Sequence, residues 1–96
     1  MTYTYTAIFT PEESGMISVD FPDFKGCCTS GTDIANALYM AQDVLNLTLY
    51  DLEQDEIAPP KASNPKDIKI DGAQFTRVIA ADTDIYRRVN EELKLA

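Results

Sequence analysis

The 96-residue chain contains no histidine, and its two cysteines, Cys27 and Cys28, are neighbours. Without histidine, a serine or cysteine nucleophile lacks the base that usually activates it. Two adjacent thiols alone do not make a zinc site of the usual kind. Residues 2–10, which have the pattern of a first strand, contain no Asp or Glu, whereas two-metal hydrolysis needs several convergent carboxylates. We therefore expect no catalytic residue, no metal site and no cofactor.

Positive charge is scarce in the first 60 residues. They carry ten Asp or Glu side chains and a single basic side chain, Lys25, whereas residues 61–96 carry six acidic and seven basic side chains. The net charge of the whole chain is −8. Binding to a phosphate backbone needs Lys and Arg, so nucleic acid is a poor partner for this region. A basic protein would instead be attracted to it. Plain solubility is the competing explanation for the acidity.

The sequence also lacks long apolar runs. None is long enough to span a membrane, and the N-terminus has neither the basic nor the apolar region of a signal peptide. We therefore expect a cytoplasmic protein. A hydrophobic content of 45% in a chain of this length predicts one folded domain over residues 1–96.

Side-chain types that alternate with a period of two residues predict three strands near the N-terminus, at residues 2–10, 16–21 and 27–30. Pro- and Gly-containing turns at residues 11–15 and 22–26 separate them. Because adjacent side chains of a strand point to opposite faces, we expect one buried and one half-exposed thiol in the cysteine pair and no bridge between them.

A single long helix follows, with Thr32 or Asp33 as its N-cap. Its end is expected at residues 54–56, because Pro59-Pro60 cannot continue a helix. Three larger side chains fall outside its apolar stripe and would pack at the margins or against a second subunit: Tyr39, Leu47 and Tyr50. The stripe that should cover the sheet comprises Ile34, Ala37, Leu38, Ala41, Val44, Leu45, Thr48, Leu49 and Leu52.

The last third begins with a Pro-rich connection at residues 57–66 and a possible single turn over 66–71. A final strand is predicted at residues 75–81, and residues 84–96 have helical propensity but too little apolar surface to stand alone. The fold class is α+β with element order β-β-β-α-β: a three-stranded antiparallel meander with one long helix packed on one face. Because a helical crossover joins parallel strands, we expect the fourth strand to lie parallel to one of the first three.

Several of these segments resemble the HicB antitoxins. They are the Tyr-rich first strand, the PEE turn with Gly15, the run FPDFKGCCTSG at Phe21–Gly31, the Leu/Ala helix that ends in acidic residues and Pro-Pro, and DTDIYRR at Asp82–Arg88. The resemblance covers nearly the whole chain. Its motif residues are Phe21, Pro22, Asp23, Gly26, Cys27, Thr29 and Gly31.

The resemblance implies a partial RNase H-like fold and a protein that neutralises a small basic toxin, HicA, which cleaves mRNA. It also implies assembly into dimers or tetramers. Full antitoxins of this family continue into a helix-turn-helix or ribbon-helix-helix domain that binds DNA. Only ten residues follow Tyr86 here, so DNA binding is not predicted for this chain.

Within the motif, a structural role is the main interpretation and partner contact the alternative. Pro22 and Gly26 suit a tight turn in which Asp23 bonds backbone N–H groups, and Phe21 and Phe24 would clamp the end of the sheet. Thr29 and Gly31 would position the start of the helix.

The acidic end of the helix is the electrostatic candidate for docking a toxin, and an ordinary solvated face is the alternative. It comprises Asp51, Glu53, Asp55 and Glu56. Two other functions stay open. One is an RNA-binding module that stacks bases on an exposed sheet face through Tyr3, Tyr5 and Phe9. The other is an orphan domain that only oligomerises.

Overall fold

The computed structural model describes residues 1–95, which form four strands, two α-helices and one short 3-10 turn. The predicted helical tail is confirmed through Leu95; Ala96 lies outside the described residues. In chain order the elements are β1 Thr2–Pro11, β2 Ile17–Asp20, β3 Cys28–Gly31, α1 Ile34–Gln54, the 3-10 turn Pro65–Asp67, β4 Phe75–Asp82 and α2 Thr83–Leu95.

The four strands form one sheet in the order β3-β2-β1-β4, and every neighbouring pair is antiparallel. The predicted meander of the first three strands is therefore confirmed. β1 lies in the interior of the sheet, where Phe9 pairs with Val19 of β2 on one side and with Phe75 of β4 on the other.

The predicted parallel pairing of the fourth strand is wrong. β4 runs antiparallel to β1, with Thr2 opposite Asp82 and Phe9 opposite Phe75. The physical reason is the connection between α1 and β4. α1 ends beside the start of β1, where Glu53 contacts Tyr3, whereas β4 begins beside the far end of β1. The chain therefore runs along the sheet in one direction through α1 and back in the opposite direction through the connection. Because of this second change of direction, β4 starts at the far end of β1 and runs antiparallel to it.

The hydrophobic core lies between α1 and one face of the sheet. Cross-strand partners share a face, so Tyr5, Ala7 and Phe9 of β1 lie on the same side as Val19 and Ile79. The helix buries four positions spaced four residues apart, as its apolar stripe predicts: Ala37, Ala41, Leu45 and Leu49. Burial of each leucine stabilises the fold by about 1.5–3 kcal/mol.

The junction of β3 with α1 is close, and glycine makes it possible. A Cβ atom added at Gly31 would lie 2.4 Å from the backbone nitrogen of Ala37. The helix begins directly afterwards with Asp33 as its N-cap, whose carboxylate accepts a hydrogen bond from the Asn36 N–H at 2.7 Å. The cap and this end of the helix therefore confirm the sequence prediction.

The two thiols also lie as predicted, with Cys27 buried and Cys28 exposed. The Sγ atom of Cys27 is 3.4 Å from the Thr48 hydroxyl on α1, and burial raises the pKa of this thiol. Cys27 thus packs as a small apolar side chain between the sheet and the helix.

Candidate partner-binding surface

The predicted acidic docking surface lies at the C-terminal end of α1, and three of its four members are exposed. The side chains of Asp51, Asp55 and Glu56 face solvent, and Glu56 takes a left-handed backbone conformation (φ 55°) just past the helix. These three carboxylates form what we call the acidic helix end. Acidic groups at this position oppose the helix dipole, so they do not serve helix stability.

Glu53, the fourth predicted member, does not belong to this surface. Its Oε2 atom accepts hydrogen bonds from the Tyr3 hydroxyl at 2.9 Å and from the Thr83 hydroxyl at 2.8 Å. Its Oε1 atom accepts one from the Arg87 guanidinium at 3.0 Å. The carboxylate therefore joins β1, α1 and α2, and it is not free to bind a partner.

The helical spacing contained a signal for this role. Glu53 follows Leu49 by four residues and so continues the row of Ala41, Leu45 and Leu49 that faces the sheet. A carboxylate in that row needs partners, since an unpaired buried charge is costly. Sequence reasoning grouped Glu53 with its acidic neighbours and missed the row.

The aromatic side chains proposed as stacking platforms for RNA lie beneath α1. Tyr5 and Phe9 are buried, and Tyr3 is half-buried with its hydroxyl on Glu53. The Tyr5 hydroxyl bonds the carbonyl oxygen of Pro60, and its ring packs edge-on against Phe24 at 4.5 Å. Burial raises the pKa of the Tyr3 hydroxyl and that of the Tyr5 hydroxyl. The expectation of an exposed aromatic sheet face is therefore wrong, because the alternating aromatics form the core face.

Several residues of the 21–31 motif make contacts within the fold. Phe21 and Phe24 are buried, and the backbone bonds Phe21 N–H to the Cys27 carbonyl at 3.1 Å and Phe24 N–H to the Phe21 carbonyl at 3.0 Å. Gly26 has φ of 80°, which suits glycine in the turn that returns to Cys27. The exposed Pro22 opens this turn, and the half-buried Thr29 lies opposite Val19 in the sheet.

Asp23 links this turn to the distant Pro-rich connection. Its carboxylate accepts hydrogen bonds from the backbone N–H of Ser63, at 2.9 Å, and from the Ser63 hydroxyl. Asp23 was predicted to bond backbone N–H groups, and it does so across forty positions of sequence rather than within its own turn. It thereby fixes the path on which the chain returns toward β4.

The fold of this chain is similar to that of chains in two solved complexes. One chain of a toxin–antitoxin complex from Streptococcus pneumoniae matches with a TM-score of 0.82 and 23% identity, over 90% of this chain and 73% of that chain. A chain of the HicA3 and HicB3 toxin–antitoxin complex matches with a TM-score of 0.66 and 17% identity, over 83% of this chain and 99% of that chain. The chain therefore shares its fold with one chain of each of these two complexes. No family model and no curated protein matches the sequence.

Nowhere in residues 1–95 do three His, Cys, Asp or Glu side chains lie close enough to hold a metal ion. Neither helix described is both long and apolar enough to cross a membrane. The two helices also carry exposed apolar side chains, among them Tyr39 and Leu47 of α1.

Proposed function

We propose that this chain is a HicB-like antitoxin, with a partial RNase H-like fold, that binds and neutralises a small basic mRNA-cleaving toxin of the HicA type without catalysing a reaction itself. The observation that carries the proposal is the fold, which two chains in toxin–antitoxin complexes share over 90% and 83% of this chain. The motif at Phe21–Gly31 supports the same assignment.

The charge distribution supports a cationic partner. Residues 1–60 carry ten carboxylates against one lysine, and the acidic helix end presents three of them to solvent. Opposite charge on a partner raises the rate of encounter and favours one orientation of docking. Because exposed charges are screened by salt, this contribution falls as ionic strength rises.

The decisive experiment titrates the purified chain into an RNA-cleavage assay with a HicA-type toxin. We expect cleavage to stop near an equimolar ratio. An equally basic nuclease of unrelated fold serves as the control and should keep its activity, because charge alone does not give specificity. Undiminished cleavage by the HicA-type toxin in an excess of this chain would refute the proposal for that toxin.

A pair of charge variants tests the place of docking. The variant Asp51→Asn/Asp55→Asn/Glu56→Gln removes the acidic helix end. The control Glu12→Gln/Glu13→Gln/Asp71→Asn removes as many exposed charges near the opposite end of β1. We expect the first variant to slow association with the toxin about tenfold at low salt, within the range of electrostatic steering. Equal association rates for the two variants would exclude the acidic helix end.

A further inference from the structure

A groove opens between α1 and α2, with a volume of about 470 Å³. We call it the α1–α2 groove. At one end of the helix pair the two helices are in contact, where the Tyr50 and Tyr86 rings lie 5.5 Å apart and Arg87 reaches Glu53. The groove lies beside this contact, so its walls are two helices that the fold already holds in place.

One wall is an apolar row on α2. Ile85, Val89 and Leu93 follow each other at intervals of four residues, and they are 61%, 49% and 68% exposed. Tyr39 of α1, which is 66% exposed, lines the same groove. The row is about 12 Å long at the rise of an α-helix, which matches two turns of a second helix laid alongside it. Contiguous exposed apolar surface of this kind marks an interaction site.

The polar side chains of the groove favour a cationic occupant. Asp43 of α1 and Asp82, the last residue of β4, line it, and among the side chains that the structure describes no Lys or Arg does so. The Oδ1 atom of Asp82 caps α2 by accepting hydrogen bonds from the backbone N–H groups of Asp84 and Ile85 at 3.0 and 3.3 Å. In the part of the chain that the structure describes, neither carboxylate is in a salt bridge. The Oδ1 atom of Asn46 is buried at the same groove, without a hydrogen-bond partner among residues 1–93. A buried acceptor of this kind needs a donor.

We infer that the α1–α2 groove receives an amphipathic helix of the cationic partner. The apolar side of that helix packs on Ile85, Val89 and Leu93, and its Lys or Arg side chains pair with Asp43 and Asp82. This inference rests on the proposed function and names where and how the toxin docks. Helices that bind a groove in this manner present apolar residues at intervals of three and four.

A second copy of this chain is the competing occupant, and its charge disfavours it. The chain carries a net charge of −8, and a two-fold contact through this groove would bring the acidic groove of one copy toward that of the other. A cationic helix instead meets the carboxylates of Asp43 and Asp82 in the groove.

The test measures the affinity of a HicA-type toxin by calorimetry for wild type and for Val89→Gln/Leu93→Gln. Both positions are exposed, so the substitutions should leave the circular dichroism spectrum and the melting temperature unchanged. The matched control, Ile57→Gln/Ile70→Gln, alters two exposed side chains outside the groove. We expect the groove variant to weaken binding on the order of 10- to 100-fold and the control to stay near wild type.

Two variants that each remove one negative charge provide an independent test. At low salt, Asp43→Asn should weaken toxin binding more than Asp67→Asn does, because Asp67 is an exposed carboxylate outside the groove. If wild type does not bind the toxin, the proposed function fails, and this inference with it. If wild type binds and the groove variants bind as tightly as their controls, only the inference is overturned.

Light scattering of the chain without toxin tests whether a second copy of the chain, and not a helix of the toxin, occupies the groove. We expect the mass of a dimer or larger assembly, if one forms, to be unaffected by Val89→Gln/Leu93→Gln. An assembly that dissociates in this variant would place a second copy in the groove and overturn the inference.

Discussion

The clearest test of the structure is the replacement of Glu53. Its carboxylate accepts from the hydroxyls of Tyr3 and Thr83 and from Arg87, and so joins three elements. Hydrogen bonds to a charged group contribute about 1.5–3 kcal/mol each, with wide variation. The ion pair with Arg87 is partly exposed and adds at most about 1 kcal/mol. Because such terms are not additive, we expect Glu53→Ala to lower the free energy of unfolding by about 3 kcal/mol.

That loss is large for a domain of this size, whose total stability is roughly 5–14 kcal/mol. The melting temperature should fall by roughly 12–24 °C, since 1 kcal/mol corresponds to about 4–8 °C in a chain of this length. Glu53→Gln should cost about 1 kcal/mol, because the amide keeps an acceptor for Tyr3 and Thr83 but loses the charge that pairs with Arg87.

Urea denaturation followed by circular dichroism measures these differences. The control is Asp51→Ala, which removes an exposed carboxylate from the same helix end and should change stability by about 0.5 kcal/mol or less. If Glu53→Ala is as stable as Asp51→Ala, the three-element junction contributes nothing and the reasoning is refuted.

The pKa of Tyr3 gives a second readout of the same junction. Burial raises it first, and the hydrogen bond to Glu53 raises it further. Because the folded pKa lies above the unfolded value of 10.0, this tyrosine adds stability that is fully present below pH 10.0 and is lost as the pH rises through the folded pKa. Absorbance titration of Glu53→Ala should show Tyr3 ionising at lower pH than in wild type, with Tyr3→Phe identifying its contribution. An unchanged titration would contradict the contact.

Three further predictions concern the path of the chain. Gly31→Ala should destabilise the fold by about 2–3 kcal/mol in urea denaturation, because the added methyl group meets the backbone of Ala37; a neutral effect would disprove the close approach. Asp33→Ala should cost about 1 kcal/mol, whereas Asp33→Ser should restore most of it as an alternative N-cap; equal losses would exclude capping. Asp23→Ala should free the connection at Ser63 and speed its cleavage in limited proteolysis, and an unchanged cleavage rate would argue that other contacts hold it.

The local elements could be predicted because their signals lie within a few residues. The period-two segments, the cap at Asp33 and the apolar row of α1 each depend on neighbours in sequence, and each matches the structure closely. The direction of β4 could not be predicted in the same way. It depends on a connection whose course is fixed by contacts such as Asp23 with Ser63, which no local pattern specifies.

The site was harder to predict for the same reason. Glu53 looks like one acid among several until the fold brings Tyr3 and Arg87 to it from opposite ends of the chain. Residues 84–96 have too little apolar surface for a helix that stands alone, and the structure leaves Ile85 and Leu93 exposed. What the sequence did not indicate is that these side chains border a groove with α1.

The antiparallel pairing of β1 with β4 has a consequence for how the molecule folds. Residues far apart in sequence, such as Thr2 and Asp82, are paired across these strands, so the interior strand gains its second partner only when β4 is present. Such distant pairings slow folding, because the entropy of closing the intervening loop opposes them first. A nascent chain leaving the ribosome would therefore hold an incomplete sheet, with one side of its longest strand open, until residues 75–82 have emerged.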